Sequence, residues 1–394
     1  MPNNILKLKE IKNALNLKFY EREREVEAML IALLARQHML LIGPSGTAKS
    51  ALAVEFAKIV KRTKYFQWQL TRFSTPEEIF GPLSLKGLEQ GVYKRNTETK
   101  MPEADIVFLD EVFKANSAIL NSLLTVMNER LFYNAGTPTN VPLMSVIGAS
   151  NEYPEEGEGL DALFDRFLLR YEVDYIKDGD NFLMMLTRDR QSDDEPMMTI
   201  EELYCLQRMV EDVTIPEEVF VALLNIRQEL CDEGILPSDR RFKHSLGILK
   251  AKALMDNRQT VQVEDLSILE NVLWVTIDDK EATSIIIRRY AEDFVIRKLD
   301  AIHEEAIELF NIVIQKHCTN TGLEASQKLK SLITDLIKLK ETNHHREKEI
   351  EILLSKVKSI QEEILSFLLE PHYFDAAAKM RKNKREISSI YYNS

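Results

Sequence analysis

The chain has 394 residues, 45% apolar and 29% charged, the balance of a folded protein rather than a disordered or low-complexity one. With 51 Lys and Arg against 63 Asp and Glu, the net charge of −12 argues against a wholesale nucleic-acid coat or a basic membrane-surface protein. Cys205, Cys231 and Cys318 are too scattered for a disulfide framework or a zinc site, so a reducing, cytoplasmic setting is expected.

No apolar run approaches the roughly 20 residues of a membrane span, and the lysines of the N-terminal segment do not precede an apolar block as an export signal requires. From about residue 21 to 176, short apolar runs alternate with helical periodicity, which predicts an α/β fold with a mainly parallel sheet flanked by helices. Strands are predicted at 38–42, 66–70, 106–109, 143–149 and 168–175.

Directly after the first strand comes Gly43, Pro44, Ser45, Gly46, Thr47, Ala48, Lys49 and Ser50, with a helix opening at Ser50 and Ala51. Strand, glycine loop and helix are the context of a phosphate-binding loop, whose backbone N–H groups and helix N-terminus favour an anion. Lys49 would reach the terminal phosphates of ATP and Ser50 would ligate magnesium. Where such a loop usually has a second glycine before the lysine, this chain has Ala48.

The strand at 106–109 ends in Asp110 and Glu111, at the sheet edge where open α/β folds bind ligands. Asp110 would hold the magnesium shell and Glu111 would polarise the attacking water, a pairing that favours hydrolysis over phosphotransfer. A helix is predicted from Ser117 to Glu129, capped by Asn116. The next strand ends in Ser150 and Asn151, whose amide could bond both the lytic water and the γ-phosphate.

The segment 177–194 reads as a polar connector, residues 199–278 as a small all-helical domain punctuated by Pro216, Pro237 and Asp256–Asn257. From Leu329 to Phe367 a 3,4-spaced apolar register predicts one long helix or a hairpin turning at 341–346, with Asn343 and Arg346 at core-type positions. The basic run 379–385 reads as a solvated tail. Domain limits are therefore expected at 1–178, 195–278 and 279–394.

Taken together, the motifs resemble the AAA+ ATPases, and within them the MoxR branch of the regulatory-ATPase-variant (RavA) type. The resemblance rests on the phosphate loop, the 71–84 block around Thr75, Pro76 and Gly81, Phe108–Lys114, Ala118–Leu124, Asn128–Arg130, Ala149–Glu152, Ala162–Phe167 and Ser238–Arg241, and spans about 20–274. It implies an AAA+ core with a helical lid, acting as a Mg-dependent ATPase in a hexameric ring that remodels partner proteins, some bearing a von Willebrand factor A domain. Asn151 matches the first sensor. Arg166 matches the arginine finger that enters a neighbour's site, with Arg170 as the fallback, and Arg240 matches the second sensor ahead of Arg241. The lid would lie across the nucleotide, contacted through Arg240 and Asn151. Adenine would lie near Tyr20, Glu21 and Arg22, and the 71–84 block and a hairpin at 132–141 would face the pore or partner. The β-rich module of the RavA type has no counterpart in the pattern from 280 to 394. Competing readings are a DNA-translocating AAA+ motor and a nucleotide-locked scaffold without turnover.

Overall fold

The computed structural model describes residues 2–154, 159–187, 196–291, 294–316, 319–342 and 347–369. Cys318, Asn343, the 344–345 histidines, Arg346 and the 379–385 run lie outside them.

In chain order, helices α1 (Pro2–Lys18) and α2 (Glu23–Leu34) precede strand β1 (Met39–Ile42), and α3 (Lys49–Lys58) follows the glycine loop. Next come β2 (Val60–Lys61), β3 (Tyr65–Gln69), α4 (Pro76–Phe80), α5 (Leu85–Glu89), β4 (Ile106–Asp110) and α6 (Ser117–Glu129). The hairpin β5 (Leu131–Asn134) and β6 (Thr137–Asn140) leads to β7 (Ser145–Ser150), α7 (Asp161–Arg166) and β8 (Leu169–Glu172). The order of the main sheet is β3-β4-β7-β1-β8, every pair parallel.

Its central strands are continuous apolar runs because both faces are covered by helices. Side-chain alternation then sorts them. Met39, Leu41, Ile106 and Phe108 enter one core, shared with α2 and the helical domain, while Leu40, Ile42, Val107 and Leu109 enter a second core with α6 and α7. Helix α6 matches its predicted span, and the Asn116 side chain accepts from the N–H groups of Ala118 and Ile119. The β5–β6 hairpin turns at Ala135 and Gly136, both with positive φ (53° and 77°), which suits the twist of the flanking strands.

The predicted connector is not wholly a connector. Its first part is helix α8 (Gly179–Thr187), where the run Phe182 to Leu186 supplies apolar residues the polar reading passed over. After β9 (Met198–Thr199), α9 (Ile200–Asp212), α10 (Glu217–Asp232) and α11 (Asp239–Met255) build the helical domain. Helix α12 (Asp279–Ala291) belongs with them, since Thr283, Ile286 and Ile287 are buried on the 3-10 segment Val263–Asn271 and α10. The compact unit therefore runs through Ala291, beyond the limit expected at 278.

A second unit, Glu292–Ser394, holds α13 (Phe294–Lys316), α14 (Thr319–Thr342) and α15 (Glu347–Leu369) around its own core. Leu329, Leu336, Ile350 and Val357 meet there with Leu299, Ile302 and Val313, so the predicted register belongs to two packed helices and a third, α13, joins them. Among the described residues, no helix is long and apolar enough to cross a membrane.

Candidate nucleotide site

The loop between β1 and α3 lies at the C-terminal edge of the sheet. The Gly43 N–H donates to Ser150 O (3.0 Å), tying the loop to the end of β7. A Cβ on Gly43 would sit 1.9 Å from Val173 O, so glycine is required by contact. Gly46 has φ +83°, which glycine adopts without strain. Ala48 has φ +66°, so the residue that departs from the usual glycine still takes the conformation that glycine would supply.

Lys49 is buried at the start of α3, and its Nζ donates to Gly43 O (2.5 Å), Pro44 O (2.9 Å) and Asn151 Oδ1 (3.1 Å). Burial pulls its pKa below the ordinary lysine value, opposed by the Asp110 and Glu111 carboxylates. Ser50 Oγ donates to Asp110 Oδ2 (3.2 Å). A hydroxyl and a carboxylate oxygen side by side form the hard-oxygen donor set that magnesium prefers, so these residues fit that ion.

Glu111 sits in the left-handed region at φ 52°, a strained conformation held by its neighbours. Asn151 Nδ2 donates to Glu111 Oε1 (2.5 Å) and to Ser45 Oγ (3.0 Å), while Lys114 Nζ pairs with Glu111 Oε2 (3.1 Å). Thr47 Oγ1 donates to Pro44 O (2.9 Å) and closes the loop on itself. Ala51, the third residue of α3, is exposed.

Beside the loop, Glu21 accepts from the N–H groups of Lys177 (2.8 Å) and Asp178 (2.9 Å), which lowers its carboxyl pKa. Arg22 is buried and donates to Glu21 O (2.6 Å) and Asp174 O. Tyr175 OH donates to Ser45 O (3.3 Å). These bonds set Glu21 and Arg22, with Tyr20 preceding them, against the chain that borders the phosphate loop.

The structure thus brings Lys49, Ser50, Asp110, Glu111 and Asn151 together. It does not bring Arg166 or Arg240 to them. Arg166 ends α7, ahead of β8, and pairs with Asp165 (3.4 Å) with its Nε buried and without a hydrogen-bond partner. Arg240 donates to Asn128 Oδ1 at the end of α6, next to Met127, whose carbonyl lies 3.0 Å from His38 Nε2 just before β1. Both arginines therefore stand at the N-terminal edge of the sheet, about 13 Å of strand away from the loop. Burial and the charge of nearby Arg166 lower the Arg240 pKa. Within one chain this placement leaves Arg240 away from the 43–50 loop.

The two alternatives are structural residues. Arg170 is buried, donates to the carbonyls of Trp274 (2.7 Å), Phe164 (3.1 Å) and Phe167 (3.2 Å), and stacks 3.8 Å from the Phe164 ring. It cannot serve as a finger. Arg241 is buried and bonds Val272 O (2.7 Å), Leu168 O (2.8 Å) and Asp165 O (3.1 Å), clasping the helical domain to the sheet, and burial lowers its pKa to about 10. Sequence reasoning assigned no role to Lys114 or Asn128, although both lie in the quoted motifs. Their signal is only their neighbours, Glu111 and Arg240.

Residues 6–211 match the family model described as the MoxR domain in the MoxR-vWA-beta-propeller ternary systems, and residues 218–287 match an AAA lid domain. An uncharacterised protein of Methanocaldococcus jannaschii is 40% identical over 315 residues, 79% of this chain and 82% of the relative. The chaperone MoxR1 of Mycobacterium tuberculosis is 32% identical over 158 residues, 39% of this chain and 41% of its own length. A candidate ATPase from Cytophaga hutchinsonii, known by crystal structure, superposes with a TM-score of 0.60 at 18% identity, over 73% of this chain and 95% of that one. At that identity the likeness is one of fold.

Proposed function

This chain belongs to the MoxR family of AAA+ ATPases, and on that premise we propose that it hydrolyses ATP between adjacent copies of itself in a ring. The observation that carries this reading is the split of the expected machinery. Phosphate loop, carboxylates and sensor amide share one edge of the sheet, while Arg166 and Arg240 share the other. A neighbour's Arg166 and Arg240 would complete a site that one copy cannot, as fingers supplied in trans do in related chemistry.

In this reading the loop N–H groups and Lys49 bind the phosphates. Ser50 and Asp110 would hold a magnesium ion, which supplies charge neutralisation at the phosphate oxygens. Water attacks the γ-phosphorus, the bond to the ADP oxygen breaks, and Glu111 takes the proton from the water. Asn151 holds that carboxylate on one oxygen and Lys114 holds it on the other.

Similarity to a chaperone and to a MoxR domain of vWA-containing systems supports coupling turnover to remodelling of a protein partner, one carrying a von Willebrand factor A domain. The test is phosphate release and nucleotide binding by the purified chain. Lys49→Ala should lose binding. Glu111→Gln should keep ATP bound while turnover falls by about 10²-fold or more, the usual contribution of a general base. Hydrolysis by the Lys49→Ala chain at the original rate would refute the assignment.

A further inference from the structure

Two apolar surfaces of the first unit are unused by the site. Helix α8 buries none of its residues, and Phe182 (47% exposed), Leu183 (58%) and Leu186 (63%) lie on one face at 3,4 spacing. Monomeric proteins rarely leave such a continuous run uncovered. The second surface is a cavity of about 730 Å³ where the end of α2 meets α9, α10 and α11, lined by Leu34, Val210, Val213, Ile215, Phe220 and Leu246. That size suits a few large side chains, and Phe220 stands 48% exposed at its mouth.

We propose that α8 of one copy seats in this groove of the next copy, making the contact that closes the nucleotide site. The inference rests on the ring reading above. Its basis is position. Helix α8 starts beside Glu21, through Asn181 Nδ2 (3.2 Å), and so borders the phosphate loop. The groove includes Arg36, whose carbonyl accepts from Arg130, and it opens on α11, the helix that carries Arg240. Within one copy the two surfaces flank opposite ends of α2, 12 residues or roughly 18 Å apart, so a copy in this conformation cannot fill its own groove. A second copy can. Loop and α8 on one side, arginines and groove on the other, form a head-to-tail interface whose repetition closes into a ring. On one rim, Arg36 and Lys250 would meet Asp178 and Asp180 at the start of the docked α8, while Glu211 and Asp212 line the rest. An amphipathic helix in an apolar groove is a recurrent recognition mode.

The full-length chain carrying Leu183→Cys and Phe220→Cys, oxidised with copper phenanthroline in the presence of ATP, should give a ladder of cross-linked oligomers that neither single variant gives. Phe182→Asp with Leu186→Asp, which alters no buried residue, should raise the concentration for half-assembly by at least about tenfold, as losing central anchors does, and leave ATP binding by the separate copies unchanged. Should the parent assemble with ATP while the pair fails to cross-link and the aspartate variant assembles normally, the docking is wrong and the ring stands. A cross-link confined within one chain also overturns the docking. A parent chain that stays monomeric with ATP overturns both.

Discussion

At Gly43 and Ala48 the same loop makes two different demands. Gly43 is fixed by contact, since any Cβ meets Val173 O at 1.9 Å. Ala48 carries only a backbone cost, because φ +66° disfavours an L side chain by about 1–2 kcal/mol while glycine would add unfolded-state entropy of about 0.4–1 kcal/mol. Gly43→Ala should therefore abolish ATP binding or unfold the loop, and Ala48→Gly should bind ATP with a denaturation midpoint near that of the parent chain. Equilibrium unfolding and titration with a fluorescent ATP analogue measure both. A Gly43→Ala chain that binds normally would show that the loop can move away from Val173. None of this was legible in the glycine pattern, which records that a residue is small and not what it would touch.

Among the elements, one buried junction is built on His38. Its Nδ1 accepts from the Val146 N–H (2.9 Å), and its Nε2 lies 3.0 Å from Met127 O and 2.8 Å from a guanidinium nitrogen of Arg130, so one ring ties β1 to β7 and α6. Burial, and then the Arg130 charge, hold its pKa well below 6.5. The unfolded chain takes up that proton near pH 6.5 and the folded chain only at lower pH, so the contribution is fully present above 6.5 and is lost as pH falls. His244, also lowered by burial, acts in the same direction. The urea midpoint should drop between pH 7.5 and 5.5, and His38→Gln should be less stable at pH 7.5 yet show a flatter pH dependence. An unchanged slope would place the titration elsewhere. Parallel strands and helix α6 were readable because continuous apolar runs and 3,4 spacing follow directly from burial. Helix α8 was missed because its polar flanks and exposed apolar residues satisfy no burial rule within one chain.

For the whole molecule, the separation of the two edges has a direct consequence in mixtures. Arg166→Ala and Glu111→Gln should each be nearly inactive alone. Mixed, they form interfaces in which the Arg166→Ala copy supplies an intact loop and glutamate while its Glu111→Gln neighbour supplies the arginine. Phosphate release should then recover to a substantial fraction of the parent rate. If the mixture is no more active than its components, Arg166 does not act across the interface. The C-terminal unit, with a core of its own around Leu329 and Val357, lies outside this prediction.

The chain's order of residues was enough to specify a parallel α/β core and to point to the 43–50 loop, the Asp110–Glu111 pair and Asn151, which the fold brings together. Each depends on local periodicity or on short spacing at a strand end, where backbone geometry dictates which side chains emerge together. Which arginine is available and at which edge it stands was decided only by tertiary structure. Arg166, Arg170, Arg240 and Arg241 look alike in sequence, and only packing turns two of them into buried clasps and leaves the other two together, at the far edge from the loop they are proposed to serve in the next copy.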